Sequence, residues 1–253
     1  AAPGRPEALL ARVEADLAAG RYPQAWLTAD TITAEYPGAV EVRHKLLALL
    51  PRIKEGLLVA ELTRADSLCA ANELRADSLS QYFRKVDNDI EPYYAARTER
   101  PGQGITARLS PDGMLYIIST LRTPRIGHTA VGVATPGDTA TVTPQVAADG
   151  ERNAIIDGAE TVHFVGLEAE ALGRRIATDP RPMTLTFSAP GGKTHSQPLD
   201  EGQRQVVKRA WEYASTIRQG RVLHLRRKSA DHQLAIARNQ IAVYAAEDTA
   251  ATQ

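Results

Sequence analysis

The stretch over 57–90, LLVAELTRADSLCAANELRADSLSQYFRKVDNDI, decides how the rest of the chain is read. Within it Leu58, Leu62, Ala65, Cys69, Asn72, Ala76, Leu79, Phe83, Val86 and Ile90 recur in steps of four and three, the spacing that aligns side chains in a heptad seam along one helix face. No glycine or proline falls between Leu57 and Glu91, so the pattern predicts one long helix over 57–92, on the order of 50 Å at 1.5 Å per residue. Pro92 ends it, because proline lacks the amide proton a helix needs. Such a seam cannot bury itself and requires a partner. Asn72 inside the seam is costly unless it meets a polar group, a device that fixes register. Leu62, Asn72, Leu79 and Phe83 are the seam residues from which a partner face is expected.

Working outward toward the start, Leu9, Leu10, Val13 and Leu17 have helical spacing and Gly20 stops that helix. A second helix runs from Pro23 to Glu35 with Pro37-Gly38 closing it, and a third covers 40–54. The opening Ala1-Ala2-Pro3-Gly4-Arg5-Pro6 reads as a trimmed, flexible start without a charged-then-apolar leader.

On the other side the period changes. From Tyr93 to Leu199 short β-branched runs alternate with turn signals, giving strands over 105–109, 114–121, 128–135, 139–146, 153–156, 161–165, 183–189 and 194–197, with a short helix over 167–177. Ser110-Pro111-Asp112-Gly113 is a hairpin signature, because Asp-Gly tolerates positive φ. Hairpin-length connections imply an antiparallel sandwich or open barrel rather than parallel βαβ units. Asp200 and Gln203 are spaced as a capping box for a helix carrying Val206, Val207, Ala210, Trp211, Ala214 and Ile217. Gly220 is expected to break it, a last helix follows from near Ser229, and 248–253 read as a disordered tail. The fold class is α+β, with C-terminal helices over 200–247 packing back on the long helix.

Composition limits function. The 30 basic and 30 acidic residues cancel, which argues against a general nucleic-acid binder, whose affinity needs a charge surplus. No apolar run reaches the length of a membrane span; a lipid anchor is left open. One cysteine, Cys69, leaves no intramolecular disulfide or multi-cysteine metal site.

Few motifs carry chemistry. Gly191-Gly192-Lys193-Thr194 has the end of a phosphate-binding loop, but Phe187 stands where the motif needs its first glycine and Pro198 interrupts the helix that should follow. It reads as a turn. The six histidines, His44, His128, His163, His195, His224 and His232, show no pair at the i, i+4 spacing of a zinc site. His128 and His163 fall in strands and can meet Asp157 or Glu160 across a sheet, a conceivable acid/base pair; a satisfied structural histidine is the plainer reading of each. Asp87, Asp89 and Glu91 lack the glycine and closing glutamate of a calcium loop. Arg221, His224, Arg226, Arg227 and Lys228 form the one dense basic run, without interleaved aromatics, and read as a solvated joint between two helices. No catalytic, metal or cofactor residue is assigned, and no cofactor is expected.

Two resemblances add expectations. Gly20-Arg21-Tyr22-Pro23-Gln24-Ala25 with Pro37 resembles about one tetratricopeptide repeat over 20–37, which implies a helical hairpin that binds or packs on protein. The element order, with the segment EPYYAARTERPGQGITARLSPDGMLYI over 91–117, is similar to uncharacterised cell-envelope proteins of Bacteroidetes-type bacteria. That resemblance implies export to the envelope or periplasm and identifies no functional residue; a cytoplasmic location stays open. Three functions compete. The first is a non-enzymatic scaffold whose helical arms pair with each other or another protein and hold out the β-domain. The second is a β-domain that binds a glycan, peptide or small molecule in a pocket lined by Tyr116, His128 or His163. The third is an unfamiliar hydrolase built on His128 or His163.

Overall fold

A computed structural model describes residues 4–98 and 102–251; of the expected flexible start over 1–6, Ala1–Pro3 lie outside them while Arg5 and Pro6 open the first helix, and the final Thr252 and Gln253 lie outside them too. Helices α1 (Arg5–Ala18) and α2 (Tyr22–Glu35) form the expected hairpin, and α3 spans Val40–Ser80. Strands β1 (Phe83–Val86), β2 (Tyr93–Ala96), β3 (Gly104–Leu109), β4 (Leu115–Leu121), β5 (Ala130–Ala134), β6 (Thr141–Val142), β7 (Asn153–Ile156) and β8 (Ala159–Val165) follow. Then come α4 (Leu167–Thr178), β9 (Thr184–Ser188), β10 (Thr194–Pro198) and the 51-residue α5 (Glu201–Ala251). The fold is α+β. All strand pairs are antiparallel, in a six-stranded sheet ordered β1-β2-β3-β4-β8-β7 and a four-stranded sheet ordered β10-β9-β5-β6.

The chain divides into two compact units, one reaching to Ala71 and resuming at Val222, the other running from Asn72 to Arg221. In the helical unit Leu10 and Val13 of α1, Ala25, Ala29 and Ile32 of α2, and Val42, Leu46 and Ile53 of α3 share one core. There α5 packs on α3: Arg226 bonds Glu61, Arg227 Nε lies 2.5 Å from Asp66, and Arg238 Nε lies 3.0 Å from Glu55. The β-unit has a separate core between its sheets, where Ile117, Leu121, Val162 and Phe164 meet Val131, Val133, Leu185 and Phe187. Leu172 and Ile176 of α4, with Val207, Ala210 and Ala214 of α5, join the same core. The sandwich expectation holds, and so does the packing of a C-terminal helix on the long one.

Helix α3 runs unbroken through Pro51 and Gly56, where separate helices over 40–54 and 57–92 are expected from the sequence, and β6 keeps only Thr141–Val142 of the expected 139–146; two further boundaries differ, each for a physical reason. The long helix ends at Ser80 rather than at Pro92. Ser80 Oγ and Gln81 Nε2 donate to the carbonyls of Asp77 and Ser78, both at 2.7 Å, and Phe83–Val86 pairs with Tyr93–Ala96. Interstrand pairing at a sheet edge outweighs a helical period that one face of apolar residues could equally supply. Leu79 and Phe83 still go inward, to the β-unit core, where Phe83 stacks 5.4 Å from Tyr213; Ile90, the last seam position, is exposed.

The second difference is at Gly220, which does not break α5. A Cβ there would lie 2.6 Å from Asn72 Oδ1, and Asn72 Nδ2 donates to the Thr216 carbonyl at 3.1 Å. The glycine is a close-approach position, and it gives the seam asparagine the polar partner it requires. At the start of α5 half of the capping box forms: Gln203 N donates to Asp200 Oδ1 at 3.0 Å. The Gln203 side chain turns instead to β3, accepting from Ile105 N at 3.1 Å. The expected tail is helical as far as Ala251.

The Gly220 contact gives a double-mutant test. Alanine is the better helix former by about 1 kcal/mol, but in Gly220→Ala it displaces Asn72 and its hydrogen bond, itself about 1 kcal/mol. Gly220→Ala alone should be close to neutral in chemical denaturation. In an Asn72→Ala background the same change should stabilise by about 1 kcal/mol, and equal effects in both backgrounds would show that the contact is not energetic.

Candidate functional site

The pleat of the six-stranded sheet sorts its residues onto two faces, because side chains alternate along each strand. On β4, Leu115, Ile117, Ser119 and Leu121 share the inward phase, and Tyr116, Ile118 and Thr120 the outward one. Register carries this to the neighbours. Across β3, β4 and β8 the outward residues form three rows: Gly104, Thr120 and Thr161; Thr106, Ile118 and His163; Arg108, Tyr116 and Val165. Rows of this kind repeat at about 4.8 Å between strands.

This outer face is a groove of about 570 Å³, with Thr106, Ile118, Thr120, Thr161 and His163 among the residues lining it. Arg122, Asp157 and Gln203 also line it, and Arg122 Nη1 is held by the Asp157 carbonyl at 2.7 Å. A Cβ on Gly104 would lie 1.9 Å from Gln203 Oε1, so glycine there lets the Gln203 amide reach the strand. A smaller recess of about 180 Å³ adjoins, lined by Glu91, Pro92, Tyr93 and Tyr116 and sharing Arg108, Ile118 and His163 with the groove. The Arg108 guanidinium lies 4.8 Å from the Tyr93 ring centroid, within cation–π range.

Electrostatics keep the face close to neutral. Burial lowers the pKa of His163, and the positive charge of Arg108 lowers it further, so the imidazole is uncharged at neutral pH. Burial, the carboxylates of Glu91 and Asp112, and a hydrogen bond with Glu91 push the Tyr116 phenol up, so it stays protonated. Thr106 Oγ1 is sealed from water and has no hydrogen-bond partner among the described residues, a state that costs a buried hydroxyl about 1–3 kcal/mol.

The opposite face of β4 and β8 holds a second constellation. Glu160, on β8, accepts from the Gly127 amide at 2.6 Å, the His128 amide at 3.1 Å and His128 Nδ1 at 2.9 Å. A carboxylate at Nδ1 makes that nitrogen the donor, so Nε2 accepts from the Ser119 hydroxyl at 2.8 Å. The imidazole packs edge-on to Phe187 of the four-stranded sheet, 5.1 Å between centroids. Serine, histidine and glutamate thus stand in the order of a nucleophile, base and orienting acid. Ser119 is 0% exposed, however, and the amides of Gly127, His128 and Thr129 all have acceptors, Glu160 for the first two and the Ser188 carbonyl for the third. As placed, the cluster ties the two sheets together across the core.

Of the sequence candidates, Tyr116 and His163 meet on the outer face, whereas His128 lies on the inner face and pairs with Glu160. Asp157 bonds neither histidine; its carbonyl holds Arg122 and it lines the outer groove. Thr106, Thr120, Thr161 and Ser119 were missed. The alternation of β4 contains the signal for Ser119, a hydroxyl at an inward position between Ile117 and Leu121; the threonines sat on a face that strand propensity treats as ordinary surface.

Elsewhere the basic run from Arg221 to Lys228 lies inside α5, not at a joint, with Arg226 and Arg227 bonded to α3 acids. Gly191-Gly192 form the β9–β10 hairpin turn, at φ +88° and +90°. Among the described residues no three histidine, cysteine, aspartate or glutamate side chains are grouped to hold a metal, and no helix is long and apolar enough to cross a membrane. No family model, no curated protein and no solved structure matches this chain.

The inner cluster has a pH signature. Burial lowers the His128 pKa, outweighing the attraction of Glu160. Burial raises that of Glu160, but the ring and amide hydrogen bonds leave it lowered overall. A histidine depressed in the folded state takes its proton first in the unfolded chain, so its contribution is fully present above about pH 6.5 and declines as pH falls through and below that value. His163 acts in the same direction. Melting temperature should therefore drop between pH 7.5 and 5.5. His128→Gln should cost roughly 3 kcal/mol at pH 7.5, by leaving Glu160 and Ser119 unpaired, and should flatten that drop; an unchanged slope in both His128→Gln and His163→Gln would refute the assignment.

Proposed function

We propose that this chain is a non-enzymatic binding protein whose ligand lies on the outer face of the six-stranded sheet. The carrying observation is the groove of about 570 Å³, within the size range of small-ligand sites. Its floor mixes polar and apolar side chains on three adjacent strands, a rigid base for positioning contacts. The side chains of Thr120, Thr161 and His163 support this reading, since all three line the groove.

The hydrolase alternative would use His128 with Ser119 as nucleophile. A recess of about 360 Å³ reaches His128 and Glu160, but Ser119 is fully buried and does not line it, and the amides of Gly127 and His128 are occupied, so the nucleophile lacks substrate access and an oxyanion site. The binding reading is therefore preferred. It is tested by titrating the ¹⁵N-labelled chain with a fragment mixture. Amide shifts should cluster at 104–108, 116–120 and 161–165; shifts confined to other segments, or none, would overturn it. Thr106→Val should raise stability by about 1 kcal/mol, because its hydroxyl is sealed without a partner, whereas Thr120→Val should lower fragment affinity without that gain, which separates a binding role from a structural one.

A second reading concerns the helical unit, where a cleft of about 430 Å³ is lined by Trp26, Leu57, Leu58, Ile236 and Ala237 with Lys54 over the Trp26 ring at 5.7 Å. Trp26 is 36% and Ile236 47% exposed, and apolar side chains left in a cleft favour protein contact. With the helical hairpin, this supports a protein-interaction or self-associating scaffold; the bacterial cell envelope as its place rests on the sequence resemblance alone. Light scattering over a range of concentrations tests self-association: mass should rise with concentration and fall back in Trp26→Glu, and a constant monomer mass would remove it.

A further inference from the structure

The outer-face rows set one apolar residue, Ile118, among hydrogen-bonding ones, with Ile156 and Ala159 adding apolar surface to the groove. Ile118 is 7% exposed at the centre of the floor. Thr106 and His163 flank it across the strands, in the register that pairs Thr106 with Ile118 and Ile118 with His163. Along β4, Thr120 and Tyr116 lie two residues to either side, and Thr161 is paired with Thr120 in the adjoining row. An apolar centre with a rim of hydroxyl, imidazole and phenol groups is the complement of a pyranose ring, whose C–H face is apolar and whose edge is a ring of hydroxyls.

Charge narrows the class further. Arg108 and Arg122 line the groove and recess together with Asp157 and Glu91, and the imidazole between them is uncharged. The basic and acidic groups balance, so an anion finds no surplus field to steer it. Threonine hydroxyls and a neutral imidazole each donate and accept, which suits hydroxyls that also do both. Beside Ile118 the recess adds the rings of Tyr93 and Tyr116, amphipathic surfaces with an apolar body and a polar tip.

We propose that the outer groove of the six-stranded sheet takes a neutral saccharide, with one pyranose ring seated over Ile118 and its hydroxyls meeting Thr120, Thr161 and His163. The proposal rests on the ligand-binding reading above and specifies its ligand. A second ring of an oligosaccharide continues into the recess against Tyr93 and Tyr116.

Saturation-transfer NMR on the whole chain tests this with maltotriose, cellotriose, the trimer of N-acetylglucosamine, a galacturonate trimer and a neutral tetrapeptide as probes. At least one neutral trisaccharide should bind, and the galacturonate trimer should bind at least tenfold more weakly. Thr120→Val and Thr161→Val should each weaken the neutral sugar three- to tenfold, and Ile118→Asn by more than tenfold, with melting curves confirming that each variant is folded. Galacturonate or peptide binding equal to or tighter than that of the sugars overturns the saccharide assignment, as does sugar binding that ignores all three substitutions; if the fragment mixture still marks the groove, the broader reading survives. Neither sugar nor fragment binding at the groove removes both.

Discussion

The register between β4 and β8 is the constraint on which the β-unit depends. Ser119 stands opposite Val162 and Ile118 opposite His163. Because the side-chain period of a strand is two residues, a slip of one would send Ile117, Leu121, Val162 and Phe164 outward and bring Thr120, Thr161 and His163 into the core. One pairing therefore sets both the apolar layer between the sheets and the polar face behind it. The strand carrying Glu160 inward also carries His163 outward, so the two histidines singled out by sequence are held by the same ladder while serving different faces.

The inner cluster illustrates how sequence order and chemistry can part. A serine, histidine and glutamate within hydrogen-bonding distance would suggest acyl transfer if geometry alone were counted. Accessibility decides otherwise. A nucleophile has to meet a carbonyl carbon, and its oxyanion needs donors with nothing else to bind; here Ser119 lies beneath the sheet and the nearby amides are engaged by Glu160 and Ser188. What the network does supply is direction. Glu160 receives three donors, the imidazole is fixed in one tautomer, and the turn over 127–129 is pinned to β8. A core of purely apolar groups would not fix that turn in one place.

Much of this architecture was legible in the sequence. The α+β layout follows from the change of period near residue 93, and β7 matches its predicted bounds because its run is closed by turn signals on both sides. The failures share one cause, since local pattern does not say what a residue will touch. Phe83 and Val86 fit the helical seam but find β2 as partner. Gly220 has the look of a terminator, yet its missing side chain makes room for Asn72. Of the site, Tyr116 and His163 could be found as polar aromatics within strands, whereas the threonines gain meaning only once three strands are placed side by side. Arg108 likewise reads as a surface cation until Tyr93 is brought under it.

The same comparison explains why the outer face is the better candidate for selection by function. A sheet face that served only to meet solvent would be indifferent to its central residue, and a face that served only to pack would be apolar throughout. Here Ile118 and Thr161 are buried at 7% and 8% exposure on the face away from the core, and a hydroxyl beside them is without a partner among the described residues. Local rules of polarity are broken where stability alone gains nothing from breaking them, and such conflicts concentrate at functional surfaces. The inner cluster breaks the rule of an apolar core too, but the ring, hydroxyl and amide donors around Glu160 are matched to acceptors. The two faces of β4 and β8 thus carry polar groups of different kinds, an inner set bonded within the fold and an outer set that lines a groove.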